Sequence, residues 1–210
     1  MPLQNRVDPW GNLHAHSSKA GTVMGNRGIL HDEQRVVVKK WVGKTWVACD
    51  PKFKGIDRRP LFQTRRYSEL FFLDEATAFA AGHRPCAYCR REQFNHFKSI
   101  WHLAFGGDTN AQSLAITSVD AALHRDRISS SRTKNTYWAS PSELPNGVLF
   151  AVDGNAFLVH CGSHLRWSHA GYTKAESTTV ASKVEVLTPR SIVQLFIAGY
   201  KPQVHASADA

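Results

Sequence analysis

The chain has 210 residues, of which 42% are hydrophobic, 20% charged and 10% aromatic, a composition typical of a globular protein with a real core. No stretch approaches the roughly 20 apolar residues of a membrane span, and the N-terminus lacks the apolar region of a secretory signal, so we expect no membrane partner and a cytoplasmic location. Lys and Arg number 26 and Asp and Glu 17, a net charge of +9, which favours polyanions, nucleic acid first.

The first 34 residues are rich in Gly, Asn and His and show no clear hydrophobic period. Gly and Asn supply turn geometry, so we predict ordered loops here. Such loops are either an ordinary surface arm or a device that places polar side chains around a ligand. In the second case Asn26, Arg27 and His31 would line a pocket.

Residues 35–40 and 45–49 are short runs rich in β-branched and aromatic side chains, with Gly43 between them. This pattern predicts a β-hairpin.

The segment that follows, residues 52–66, is called the basic loop. It interleaves Phe53 and Phe62 with positive charges, a combination that suits phosphate contact and base stacking, although a solvated loop whose aromatic residues cover the core is an equal alternative. The predicted nucleic-acid-binding residues are these charges and two arginines further along the chain: Lys52, Lys54, Arg58, Arg59, Arg65, Arg66, Arg90 and Arg91.

Helical signals dominate the next part of the chain. Residues 67–73 suit a strand, Asp74 can cap a helix that runs to residue 81, and Gly82 is a good residue to end it. Residues 90–105 carry aromatic side chains at helical spacing, and residues 119–128 indicate a further helix. Residues 129–144 are rich in Ser, Thr, Asn and Pro and form the best linker candidate.

The remaining sequence predicts strands and one helix. Asp153-Gly154 between two apolar runs is a strong hairpin signal. Residues 165–168 and 184–187 suit further strands, and a helix is predicted to begin after Pro189 and to end at Gly199.

Cys86 and Cys89 carry the most specific chemical signal. Two cysteines separated by two residues can direct both sulfurs at one tetrahedral ion, and the neighbouring arginines Arg84, Arg90 and Arg91 are expected to lower the thiol pKa values. A thioredoxin-like redox pair and two inert buried thiols are the alternatives. The redox alternative is disfavoured because this pair follows a helix, a glycine and a proline instead of a strand.

The sequence FFLDEA at residues 71–76 and AAGHRPCAYC at residues 80–89 resembles the second half of the Ada-type zinc-binding module. The resemblance covers about 20 residues and implies that Cys86 and Cys89 are the second pair of zinc ligands in a protein related to DNA repair or nuclease modules. The first half of the pattern, Cys-x-x-x-Cys or His-x-x-x-Cys, is absent, since Phe53 stands where the partner of Cys49 would be. In the repair proteins that carry this module, a zinc-bound cysteine accepts a methyl group from DNA. We do not extend that activity to this chain, because the first pair of ligands is missing. The remainder of the chain resembles an uncharacterised bacterial protein family.

We expect zinc to be held by Cys49, Cys86 and Cys89, with His83 as the fourth ligand, His31 as an alternative and water as a third possibility. A bound water would make the site open and catalytically competent.

The expected fold class is α+β. A zinc-stabilised hairpin and helix part would span residues 1–106, a helical connector and linker 107–145, and a β-hairpin plus helix part 146–210, either separate or packed as one domain. The function expected first is nucleic-acid association, DNA before RNA, around a structural zinc ion. The alternatives are a metal-dependent enzyme that processes nucleic acid and a zinc-stabilised interaction module.

Overall fold

The computed structural model describes residues 1–106, 114–174 and 182–210. Within these ranges the chain is a mixed α+β protein with two six-stranded sheets and four α-helices, which confirms the predicted fold class. None of the described helices has the length and apolar character needed to cross a membrane.

The first sheet is built from the N-terminal part of the chain. Its strands lie in the spatial order β2-β1-β5-β3-β4-β6. They are β1 Gln4–Val7, β2 Leu13–Ala15, β3 Val23–Asn26, β4 Val47–Cys49, β5 Leu70–Phe72 and β6 Arg84–Pro85. Two of the pairings, β1 with β5 and β4 with β6, are parallel, and the others are antiparallel.

The hairpin predicted from residues 35–49 is wrong. Strand β4 pairs with β3, where Met24 lies opposite Cys49, and residues 35–40 form a loop with one isolated bridge between His31 and Val37. The first 34 residues also contain three strands where loops were predicted. These strands form because they pair with segments that are distant in the sequence, and local propensity does not predict such pairing.

The cap predicted at Asp74 is confirmed. Helix α1, Glu75–Ala80, begins with the Thr77 amide donating to the Asp74 carboxylate at 2.8 Å, and Gly82 follows its end at φ 85°. Both acidic residues also hold the distant segment 200–205. The Asp74 carboxylate accepts from the His205 amide at 2.9 Å, and Glu75 accepts from the Tyr200 hydroxyl at 3.0 Å and from the Gln203 amide at 2.9 Å.

The second sheet is antiparallel and has the order β11-β10-β9-β8-β12-β7. The strands are β7 Tyr137–Ala139, β8 Leu149–Val152, β9 Asn155–His160, β10 Ser163–Ser168, β11 Gly171–Lys174 and β12 Val184–Val186. The predicted Asp153-Gly154 turn joins β8 to β9, and both residues have positive φ, as this class of hairpin turn requires. Strand β7 lies inside the predicted linker and forms an edge of the sheet.

Three longer helices complete the fold: α2 Arg91–Phe105, α3 Ile116–Arg127 and α4 Arg190–Ile197. Short 3₁₀ turns occur at Phe53–Gly55, Pro141–Glu143 and Ala206–Ala208. One buried apolar cluster joins Phe79 and Phe97 from the N-terminal part to Phe150, Phe157 and Phe196 from the C-terminal part, so the two parts pack against each other. Residues 107–113 of the predicted connector lie outside the described residues.

Candidate metal centre

Three cysteines meet at the edge of the first sheet; we call them the thiol cluster. Cys49 ends β4, which runs parallel to β6, and Cys86 follows β6 directly. The Cys86 amide donates to the Ala48 carbonyl at 2.9 Å, which continues this pairing. Cys89 lies one turn later, before α2. As a result the sulfurs of Cys49, Cys86 and Cys89 all lie within 4.8 Å of one another.

Hydrogen bonds to sulfur favour thiolates at two of the three positions. The Cys49 thiol, which is 7% exposed, shares its single proton with the sulfurs of Cys86 and Cys89, and these hydrogen bonds together with burial raise its pKa. The same bond, with further bonds from the Tyr88 and Cys89 amides, lowers the pKa of Cys86 to about 5. The pKa of Cys89 is lowered chiefly by the bond from Cys49 and also by the Asp50 amide, which lies 3.4 Å from its sulfur.

The arginines around the cysteines are engaged elsewhere. Arg84 forms a two-pronged ion pair with Asp120 at 2.7 and 2.9 Å, with both side chains 4% exposed. Arg90 pairs with Glu75 at 2.8 Å. Their charges are largely neutralised by these carboxylates, so the hydrogen bonds to sulfur, rather than the arginines, are the leading causes of the lowered thiol pKa values.

The thiol cluster can hold a metal ion. Three sulfur donors within this distance suit a soft or borderline cation, and thiolates are the ligands that Zn²⁺ and Cu⁺ prefer over Mg²⁺ or Ca²⁺. Cys161 is exposed and lies apart from the group.

A cleft of about 250 Å³ opens beside the cluster, and we call it the thiol cleft. Cys49 and Cys89 line it together with Asp50, Arg90 and Gln93. Arg90 is 7% exposed, and its Nη1 atom is buried without a hydrogen-bond partner among the described residues. Two of the three potential ligands therefore border a polar space.

Neither histidine proposed as fourth ligand joins the cluster. His83 is fully buried, with its ring centroid 4.6 Å from that of Phe72 and 5.3 Å from that of Trp46. Burial, with Arg27 and Arg127 nearby, holds its pKa well below the ordinary value. His31 stacks on Phe62 at 4.5 Å and makes a 2.6 Å hydrogen bond to the Ser68 hydroxyl. Both rings are packing elements of the N-terminal part.

The basic loop is mostly exposed, and its first residues contact the cysteine loop. The Lys54 ammonium lies 5.4 Å from the Phe53 ring centroid and 5.7 Å from that of Tyr88, and the two rings meet edge to face. Arg58 donates to the Pro51 carbonyl, and Arg59 pairs with Asp57. The exposed predicted nucleic-acid residues are Lys52, Lys54, Arg59, Arg65, Arg66 and Arg91, whereas Arg58 is partly buried and Arg90 is buried in its ion pair.

A second cleft, of about 520 Å³, lies away from the thiol cluster and is called the Trp46 cleft. It is lined by Arg27, Trp46 and Arg127 together with residues 10–13, 37–41 and 132–134. Arg27 was predicted to line a pocket, but Asn26 and His31 do not line this one. The rest of this cleft carries no sequence signal, because its residues come from distant segments that share no local motif.

Comparison with models of protein families, with curated proteins and with solved structures finds no match to this chain.

Proposed function

We propose that this chain is a zinc protein in which Cys49, Cys86 and Cys89 hold a structural ion, and that the loops anchored by this ion contact nucleic acid. The observation that carries the proposal is the convergence of three sulfurs, from two separate segments, within 4.8 Å. The Ada-like pattern over residues 71–89 supports zinc over other soft cations.

A structural role is supported by where the cysteines lie. Strand β6 has only two residues, so its pairing with β4 supplies few hydrogen bonds. An ion bound to Cys49 and Cys86 would cross-link the two strands at the point where their pairing ends. Binding free energy at such a site contributes directly to folding. A reducing compartment such as the cytoplasm would keep these neighbouring thiols from forming a disulfide.

Metal analysis tests the first half of the proposal. Protein purified without added metal should contain about one zinc per chain, and a chelator that removes the zinc should lower the melting temperature. Zinc added back should restore it, and magnesium at the same concentration should not. A chain that lacks any bound transition metal and melts identically with and without chelator would contradict the proposal.

The nucleic-acid half is supported by the surface next to the thiol cluster. Tyr88 is 65% exposed and belongs to the cysteine loop itself, while Phe53 and Lys54 belong to the basic loop that begins just after Cys49. An exposed ring beside an ammonium group suits a stacked base and its phosphate. The net charge of +9 gives the long-range attraction.

Binding measurements at two salt concentrations test this half. Duplex DNA, single-stranded DNA and RNA should be compared, and affinity should fall steeply with salt because phosphate contacts release counterions. Lys52→Ala with Lys54→Ala should weaken binding to many sequences about equally. Lys174→Ala with Lys201→Ala, which removes the same charge elsewhere, is the matched control. Salt-insensitive binding, or none to any of the three, would contradict a nucleic-acid role.

A metal-dependent enzyme is the second candidate, and the thiol cleft favours it. Three protein ligands leave a fourth zinc position, and water in that position becomes more acidic when the metal binds it. Gln93 and the Nη1 atom of Arg90, whose charge is balanced by Glu75, would then donate hydrogen bonds to a polar substrate in the cleft. X-ray absorption of the zinc protein distinguishes the two candidates. Four protein ligands exclude an open site, whereas three sulfurs plus one exchangeable oxygen ligand support it.

A further inference from the structure

The Trp46 cleft has an unusual charge distribution. Of the described residues that line it, six are basic and none is acidic; the basic ones are Arg27, Lys39, Lys40, Arg127, Arg132 and Lys134. Like charges gathered around one concave space repel one another, and low-dielectric walls strengthen their field. This repulsion would be offset by an anion bound in the space.

The deepest of these cations are bound to neutral groups. Arg27 is 3% exposed and donates to the Gly11 carbonyl at 2.9 Å, and Arg127 is 1% exposed and donates to the carbonyls of Gly82 and Lys44 at 2.6 Å. The Lys134 ammonium donates to the Ala80 carbonyl. Carbonyls orient these cations but do not neutralise them. The Nε atoms of Arg27 and Arg127 are buried without a hydrogen-bond partner among the described residues.

The pKa values reflect this burial. Desolvation is the main cause in all three cases and lowers the pKa of Arg27 to about 10, of Arg127 to about 9 and of Lys134 to about 7. Asp120 opposes the shift for Arg127 but is ion-paired with Arg84, and Asp126 opposes the shift for Lys134 but accepts hydrogen bonds from Ser191. The carboxylate of Asp8, which opposes the shift for Arg27 and Lys134, accepts hydrogen bonds from Asn12 and contacts His14. It does not line the cleft.

Aromatic rings accompany the charges. The Arg127 guanidinium lies 3.8 Å from the Trp46 ring centroid, and the Arg132 guanidinium lies 5.0 Å from that of Trp41. Trp10 and Trp41 are half-buried lining residues. A cleft of about 520 Å³ is within the range of small-ligand sites. Planar rings stack on tryptophan and arginine faces, and guanidinium groups bind phosphate oxygens.

We propose that the Trp46 cleft binds a nucleotide, with its phosphate at the basic side chains and its base against the half-buried rings of Trp10 and Trp41. The nucleotide has two chemically equivalent sources, a free mononucleotide and the phosphorylated end of a nucleic-acid strand. The second source rests on the nucleic-acid association proposed above, and the first does not.

Titration calorimetry at low salt tests the site with defined probes: adenosine 5′-monophosphate, adenosine, inorganic phosphate, and a short single-stranded DNA with either a 5′-phosphate or a 5′-hydroxyl. Lys39→Ala with Arg132→Ala removes two exposed charges at the rim without disturbing the buried arginines. Lys174→Ala with Lys201→Ala removes two exposed charges outside the cleft and the basic loop and is the matched control, and Lys52→Ala with Lys54→Ala reports on the basic loop separately. Melting curves confirm that each variant is folded, and Trp41→Ala provides an independent disruption.

We expect the monophosphate to bind more tightly than adenosine or phosphate, and the rim variant to weaken its binding about tenfold or more while the control leaves it unchanged. Preference for the 5′-phosphorylated strand, lost in the rim variant, supports the strand-end source even where the free monophosphate fails to bind. Equal binding of adenosine and its monophosphate overturns the phosphate assignment.

The outcomes separate this inference from the proposed function. If strand binding depends on Lys52 and Lys54 and the rim variant changes nothing, the Trp46 cleft is not a nucleotide site and the proposed function stands. If the monophosphate binds and no strand does, the cleft stands and the nucleic-acid role fails. If no probe responds to the rim variant or to Trp41→Ala, the inference is overturned.

Discussion

The basic loop and the Trp46 cleft both concentrate positive charge, but they do so in opposite environments. In the loop, the Arg59 side chain is 83% exposed and pairs with an exposed Asp57, so water screens both charges. In the cleft, Arg127 is 1% exposed and bound to carbonyls. An exposed charge costs little to keep and contributes little to stability, whereas a buried one is costly unless it is compensated.

The same contrast explains which region the sequence could reveal. The loop is one contiguous segment rich in basic and aromatic residues, so the sequence alone identifies it. The cleft brings together positions 27, 46, 127 and 134, which no short motif links. Its charges become meaningful only once the fold buries them, and burial is decided by pairing between distant strands.

The largest expected effect lies in the thiol cluster, which joins the base of the basic loop to the first sheet. Cys86→Ser and Cys89→Ser should each release the metal and lower the free energy of unfolding by about 3 kcal/mol or more, because metal binding is linked to folding. Zinc analysis and urea denaturation measure the two effects. Cys161→Ser, at an exposed position outside the cluster, should leave both unchanged; unchanged stability in all three variants would contradict a structural metal.

Substitution of a buried cleft cation should have the next largest effect. Arg127→Met removes the donors to the Gly82 and Lys44 carbonyls and should lower the free energy of unfolding by about 2 kcal/mol. Arg132→Met, at the exposed rim of the same cleft, should have no measurable effect. Urea denaturation of both variants decides the comparison, and equal effects would show that burial does not distinguish the two positions.

The pH dependence of stability should reveal Lys134. Its folded pKa is about 7 against an ordinary 10.5, so between these values the unfolded chain binds a proton that the folded chain does not. The free energy of unfolding should therefore rise as the pH increases through this window. This contribution of Lys134 is lost again as the pH falls towards 7. Lys134→Met should reduce this slope in urea denaturations at several pH values, whereas Lys40→Met, an exposed residue, should preserve it. An identical slope in both variants would disprove the assignment.

The smallest effect is expected in the basic loop. Asp57→Ala and Arg59→Ala, singly or together, should leave the melting temperature unchanged, since exposed ion pairs contribute little. A clear loss of stability in either single variant that is relieved in the double variant would mean that the loop depends on this ion pair. Exposed and buried charges would then contribute more similarly to stability than their burial indicates.

Local signals predicted local structure well. The Asp74 cap, the aromatic spacing of α2 and the Asp153-Gly154 turn each act over a few residues, and the structure contains all three. The cysteine group was predicted from a local signal too: spacing identified Cys86 and Cys89 as a pair, Cys49 was expected to join them, and the three sulfurs lie together in the structure.

Residue type alone suggested two histidines as the fourth ligand, and neither ring lies with the three sulfurs. His83 and His31 have the right chemistry, but one ring is packed between Phe72 and Trp46 and the other bonds Ser68. The hairpin from residues 35–49 failed for a related reason. The apolar pattern indicated a strand around Cys49 correctly, but strand β3, its true partner, looked like a loop because it contains Gly25 and Asn26.

The two acidic residues at the start of α1 have a consequence for the order in which the parts of the chain fold. Glu75 accepts a hydrogen bond from Gln203, 128 positions later in the chain, and the same carboxylate pairs with Arg90 beside the thiol cleft. Domains fold as units during synthesis, with earlier segments emerging first. The three cysteines of the thiol cluster are therefore synthesised well before segment 200–205. A metal bound at that stage would stabilise the sheet edge until the later segment is made and packs over Glu75.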